Sequence, residues 1–300
     1  MVTPMSTAPD VFPVRTSDGY QLSVNDYGQL ESPTVVLVHG YPDSSVVWSE
    51  VIAALMPRYR VVTYDVRGAG HSDKPEHVSE YRLEQLTADL TAVLDRVSPK
   101  HAVHLIGHDW GSIQCWHALT DARVQARIAS FTSISGPHLD HAGAWLRGAA
   151  AGSLRDRARQ LVSSAYLGVF VAPRLPEWLW RRGVADRVVG EHGPTGSLAD
   201  KLHGLKLYRA NLPGRAAAPA RASLRVPIPT QVLAPEHDPY VSVALQTQAP
   251  APWTERLRVH TIDGGHWAIR THGELVARHA SAFIDEIEAA QAATNNARAQ

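Results

Sequence analysis

The residues best equipped for chemistry are Gly107-His108-Asp109-Trp110-Gly111-Ser112, between the apolar run Ala102–Ile106 and the helix-like run Ile113–Leu119. Glycine, any residue, a nucleophile, any residue, glycine, at a strand-to-helix junction, is the pattern of a nucleophile elbow. The small end residues let the backbone turn sharply and hold the middle side chain up and exposed. That middle residue is Asp109, where serine is the familiar occupant. A serine attacks carbonyl carbons, whereas a carboxylate suits displacement at a saturated carbon and keeps the substrate as an ester. An aspartate at this place could also simply cap the following helix.

Two further groups favour the chemical reading. His266 lies in the glycine-rich stretch Asp263-Gly264-Gly265-His266-Trp267, and Asp238 in Pro235-Glu236-His237-Asp238-Pro239; each follows an apolar, strand-like run. An imidazole oriented by a carboxylate can take a proton from water, which is what hydrolysis of an ester on Asp109 requires. Glu236 competes with Asp238 for the orienting role. His101, His104, His108 and His237 read as structural or exposed, and Asp65 with Arg67-Gly68-Ala69-Gly70-His71-Ser72 as an architectural loop.

The elements that must position these groups are short buried runs. Val35–Val38, Val61–Tyr64, Ala102–Ile106, Ile128–Ile134, Thr230–Ala234 and Leu257–Ile262 are apolar enough for strands covered on both faces, and Trp48–Leu55 has helical spacing. Strands alternating with helices predict an α/β fold with a mostly parallel sheet flanked by helices. His39, Asp109, Ser135, Asp238 and His266 then fall just past strand carboxyl ends, where such sheets bind ligands. From Leu139 to Arg225 strand-like runs cease, Arg, Ala, Leu and Trp abound, and Pro173, Pro176, Pro194 and Pro213 interrupt. This predicts a core over 1–138 and 226–288, a helical cap (lid) over 139–225, and a tail at 289–300 that is disordered or a linker. Trp145, Trp178 and Trp180 point to an apolar pocket under the cap, and Arg155, Arg157 and Arg159 read as a solvated helix face.

Across 300 residues, 29 basic and 29 acidic side chains balance, so nothing points to nucleic acid. The one cysteine, Cys115, excludes a disulfide framework and reads as a buried core residue. Met1–Val14 lacks a basic start followed by an apolar stretch, and no run has the ~18 apolar residues of a transmembrane segment, so the cytoplasm is the expected location.

His39-Gly40-Tyr41-Pro42, Arg67–Ser72, Gly107–Gly111 and Gly264–Trp267 together resemble the α/β-hydrolase-fold epoxide hydrolases, over about residues 10 to 288. The chain order nucleophile, acid, histidine is that of the α/β-hydrolases. Some relatives carry the acid after the earlier strand, where Ser135-Gly136 has no carboxylate, which favours Asp238. The resemblance implies an oxyanion hole from the backbone N–H groups of Tyr41 and Trp110. It also implies two cap tyrosines that bond the epoxide oxygen. Tyr166 fits with Phe170 and Pro173, and Tyr208 fits in Gly204-Leu205-Lys206-Leu207-Tyr208-Arg209, although Leu207 stands where the family usually has tryptophan. The implied partners are a small apolar epoxide and water, with no metal or other cofactor; a homodimer is left open.

Haloalkane dehalogenases share the aspartate and need two N–H donors for the departing halide; Trp110 could be one, and the other is often an asparagine where Tyr41 stands or could be a cap tryptophan. Fluoroacetate dehalogenases need an arginine where Trp110 stands. A non-catalytic module of the same fold is the third alternative. The Pro-Asp-Ser-Ser run after Tyr41 and the segment Phe131–Pro137 are most similar to actinobacterial epoxide hydrolase-like domains joined to a short-chain dehydrogenase, but no dinucleotide glycine motif occurs here.

Overall fold

A computed structural model describes residues 8–189, 194–213 and 225–299. Parts of the expected cap (190–193 and 214–224), the first seven residues and Gln300 lie outside the described residues. Eight strands form one sheet in the order β1-β2-β4-β3-β5-β6-β7-β8. They are β1 (Asp10–Arg15), β2 (Gln21–Tyr27), β3 (Thr34–Val38), β4 (Arg60–Tyr64), β5 (Val103–His108), β6 (Ile128–Ile134), β7 (Thr230–Pro235) and β8 (Leu257–Ile262). From β4 to β8 all pairings are parallel, and the β1–β2 and β2–β4 pairings are antiparallel. β3, β4, β5, β6 and β7 are buried at every residue, which is why they read as continuous apolar runs.

One cluster of buried side chains joins Val36, Val38, Leu90, Leu105, Trp116 and Phe131 on one face. A second joins Leu37, Trp48, Leu55, Ile106, Leu233 and Ile284 on the other, so each face of the sheet has its own core. Cys115 is fully buried in the first of these, as expected. The helix Gly273–Ala299 packs against the second face and runs well past Ile287. The expectation of an unstructured tail from 289 is corrected. The Ala, Gln and Arg that lower its hydrophobic periodicity are strong helix formers, and continuing an existing helix avoids the cost of nucleating a new one.

Between β6 and β7 the described chain is helical: Leu139–Leu146, Leu154–Ser163, Tyr166–Val171, Leu175–Arg181, Val184–Val189 and Leu198–Asn211. Partly buried polar bonds tie this insertion to the core. Asp43 accepts from the backbone N–H and hydroxyl of Thr195 at 2.6 and 2.9 Å, and Asp200 accepts from Gly70 N–H at 3.0 Å. Tyr41 donates its hydroxyl to Lys201 carbonyl at 2.9 Å. Arg157 departs from a solvated helix face. It is half-buried, donates to Ala150 carbonyl at 3.0 Å and lies over the Trp145 ring, while Arg155 and Arg159 are exposed.

Candidate active site

The turn after β5 puts Asp109 at φ 51°, ψ −124°, a conformation that costs a non-glycine residue on the order of 1–3 kcal/mol. The flanking glycines make it possible. A Cβ on Gly107 would come within 2.7 Å of Ser112 Cα, and one on Gly111 would overlap the Val38 carbonyl oxygen. The backbone of Asp109 is fixed from both sides, donating to Ile134 carbonyl and accepting from Ile113 N–H, each at 3.0 Å. Its side chain makes no capping bond to the helix Trp110–Ala118, which removes the simple capping reading. The carboxylate instead accepts from the Tyr41 N–H at 2.8 Å, and the adjacent Trp110 N–H also favours its charged form. The two expected oxyanion donors therefore converge on Asp109 itself.

Asp238 and His266 meet this group. His266 Nδ1 donates to Asp238 Oδ2 at 3.0 Å, and its Nε2 lies 3.7 Å from Asp109 Oδ2. Asp238 Oδ1 accepts from the N–H groups of Tyr240 and Val241 at 2.8 and 3.1 Å, so both its oxygens are occupied. Glu236 is exposed and makes no such contact with His266, whereas Asp238 does. His108, read as structural or exposed, is fully buried. Its Nε2 donates to the His266 carbonyl at 2.8 Å, and burial lowers its pKa to about 3, so it stays neutral.

Charge follows from the geometry. Burial pushes Asp109 up to about 6, although the His266 charge and the two N–H donors pull it down. Burial also disfavours a charged His266, but the carboxylates of Asp238 and Asp109 outweigh it and raise the imidazole to about 9. Asp238 is buried too, yet the His266 charge and hydrogen bond hold it below the ordinary carboxyl value. At neutral pH the three groups are carboxylate, imidazolium and carboxylate.

Tyr166 and Tyr208 come from two helices of the insertion, Tyr166–Val171 and Leu198–Asn211. Both line the same cavities as Asp109. Burial chiefly raises both phenols well above 10, with Asp109 next for Tyr166, and Tyr166 and then Asp109 next for Tyr208, so both remain protonated. Phe170 packs edge-on against both, at 5.3 and 5.1 Å between ring centroids. Tyr208 also contacts the Trp110 ring at 4.9 Å. Of the insertion's tryptophans, Trp180 lines the site, Trp145 is buried against Leu245 and Ala249, and Trp178 is exposed.

Sequence reasoning passed over Tyr240 and Asp43. Tyr240 stands edge-on to His266 at 4.9 Å and to Tyr166 at 5.2 Å. Asp43 accepts from Trp267 Nε1 at 2.8 Å, so one carboxylate joins the histidine loop to the insertion. The signal for each was adjacency: Tyr240 is two residues past the acid and Asp43 directly follows Tyr41-Pro42.

The chain belongs to the α/β hydrolase fold family, whose sequence profile matches residues 33–272. Within it, the chain is 33% identical over 306 residues to the probable oxidoreductase EphD of Mycobacterium tuberculosis, covering 96% of this chain and 51% of that protein. It is 38% identical over 128 residues to epoxide hydrolase A of the same species, across 42% of this chain and 38% of that one. The chain spans about half the length of the curated relatives it matches most fully. Among solved structures, a variant epoxide hydrolase of Bacillus megaterium with a naphthyloxy-propanediol product matches at TM-score 0.75 and 20% identity, over 91% of this chain and 100% of that one. Epoxide hydrolase VrEH1 of Vigna radiata matches at TM-score 0.69 and 22% identity, over 93% and 99%. At these identities the structures speak for the fold.

Proposed function

We propose that this chain hydrolyses epoxides to vicinal diols through an ester on Asp109. The observation that carries this is the pairing of two protonated phenols with a carboxylate at one cavity junction, since an epoxide needs an attacking group and a proton donor together. Asp109 attacks one ring carbon, and the carbon–oxygen bond of the strained ring breaks. Tyr166 or Tyr208 gives the departing oxygen its proton and is later reprotonated from solvent. A hydroxyalkyl ester remains.

Ester formation abolishes the Asp109 charge, which had helped hold the proton on His266. With that charge gone the imidazolium releases its proton to solvent, balancing the one the phenolate takes up, and the neutral imidazole, still oriented by Asp238, accepts a proton from water as the hydroxide adds to the ester carbonyl. The N–H groups of Tyr41 and Trp110, already directed at this carboxyl, hold the oxyanion. Collapse of the adduct restores Asp109 and releases the diol, with the His266 proton moving to the leaving oxygen. The segment 139–225 serves as the cap that supplies the phenols, and a cytoplasmic location belongs to the same proposal.

A dehalogenase reading requires halide donors beside the leaving group. Trp110 and Trp180 both border the site, but the place of the usual asparagine is held by Tyr41, which offers only its N–H because its hydroxyl is bonded to Lys201. The discriminating assay measures diol from styrene oxide and aliphatic epoxides against halide from chloro- and bromoalkanes. Diol without halide is expected; halide release without diol would refute the proposal.

A further inference from the structure

Asp109 stands at the junction of two very unequal lobes. The larger has about 560 Å³, within the range of small-molecule sites, and its walls include Ile113, Leu139, Leu146, Leu167, Val171 and Leu245. The smaller has about 40 Å³ and is lined by Tyr41, Phe170, Trp180, His266 and Trp267, with Val189 and Pro194 at its border. Four residues line both: Asp109, Tyr166, Tyr208 and Tyr240. His266 lines only the small lobe. The walls of the small lobe are braced by edge-on ring packing, Tyr41 against Phe170 at 5.7 Å and against Trp180 at 6.4 Å. Tyr41 is itself fixed by its bond to Lys201.

We propose that the two lobes divide the reactants: one long apolar arm of the substrate fills the large lobe, and the hydrolytic water occupies the small lobe beside His266. The substrate class is therefore a terminal epoxide with a single long hydrocarbon arm. This rests on the epoxide reading above. A cavity of roughly 10–15 Å³ suffices for one water, so the small lobe has room for the hydrolytic water but little for an alkyl chain of length. Its polar edge is the His266 imidazole, the group that must take the water's proton. A substrate with a long arm on both ring carbons has to drive one arm into this lobe. It then meets the braced rings or displaces the water, in which case any ester on Asp109 persists.

The test compares 1,2-epoxydodecane with 6,7-epoxydodecane, following diol formation and the mass of the Asp109 peptide. The expected result is kcat/KM at least about 100-fold higher for the terminal isomer. Trp180→Ala, which widens the small lobe, should raise mid-chain turnover relative to terminal turnover by about tenfold. Equal turnover of the two isomers, or an unchanged ratio in Trp180→Ala, overturns the assignment.

Absence of diol from every epoxide would instead count against the proposed activity. The lobes are then tested by binding alone, from quenching of intrinsic tryptophan fluorescence by dodecanamide and by N-hexylhexanamide, which carries an arm on each side of its amide. At least tenfold tighter binding of dodecanamide supports the one-armed site, and equal binding overturns it.

Discussion

Replacing Asp109 by asparagine should stabilise the fold while abolishing turnover, and the gain should depend on pH. The Asp109 side chain is only 12% exposed, so its charge is little screened. Its pKa rises from the ordinary 3.8 to about 6, chiefly through burial. Each pKa unit is worth about 1.4 kcal/mol, so keeping this carboxyl ionised costs the folded state about 3 kcal/mol above pH 6. The native state binds more protons than the unfolded chain between 3.8 and about 6, so this group's contribution to stability falls as pH rises through that window. Asparagine keeps the shape and carries no charge. Its amide nitrogen cannot accept the second N–H bond, which returns about 1 kcal/mol and leaves a net gain of about 2 kcal/mol. For a chain of this size that is a rise of about 4 °C in Tm. Differential scanning calorimetry of the two proteins at pH 7.5 and pH 4.5 reads it directly. The variant should melt higher at pH 7.5 and lose that advantage at pH 4.5, where native Asp109 is protonated. A variant less stable at pH 7.5, or a difference independent of pH, refutes the burial argument.

The same titration governs chemistry, so single-turnover alkylation should fall as pH is lowered through about 6, where Asp109 gains a proton, and stopped-flow kinetics would show it. His266→Gln should still alkylate but accumulate the ester, visible as an intact-mass increase equal to the epoxide; no adduct would contradict the two-step route. Tyr166→Phe and Tyr208→Phe should each slow ring opening by on the order of 10²-fold, and the double variant should lose it, with no shift of the acidic pH limb. Asp43→Ala strands the N–H of Thr195 and of Trp267. It should lower stability by about 1–3 kcal/mol in denaturant titration.

The central parallel strands were legible because burial on both faces leaves unbroken apolar runs, as in Ile128–Ile134, which coincides with β6; Leu257–Ile262 coincides with β8 although that edge strand is only partly buried. β1 and β2 escaped notice because they lie at the sheet's antiparallel edge. In β2, Leu22 and Val24 are buried between more exposed neighbours, so only an alternation marks the strand. At the site, Asp109, Asp238 and His266 were readable because each needs a special turn at a strand end. Tyr166 and Tyr208 were readable only through family resemblance, since a helical insertion places a side chain by packing rather than by local pattern. The inequality of the two lobes had no local sequence signal at all. It arises from packing of the Tyr41 ring on Phe170 and Trp180, from which it is far removed in the chain.

The central claim is that the Asp109 carboxylate becomes an ester which water then cleaves at the carbonyl. It is tested most directly by turnover of an epoxide in oxygen-18 water, followed by mass analysis of the peptide bearing Asp109. Attack at the carbonyl leaves a water oxygen in the regenerated carboxylate, so the account predicts label in Asp109 together with diol product. Diol formation over repeated turnovers with Asp109 unlabelled would contradict it.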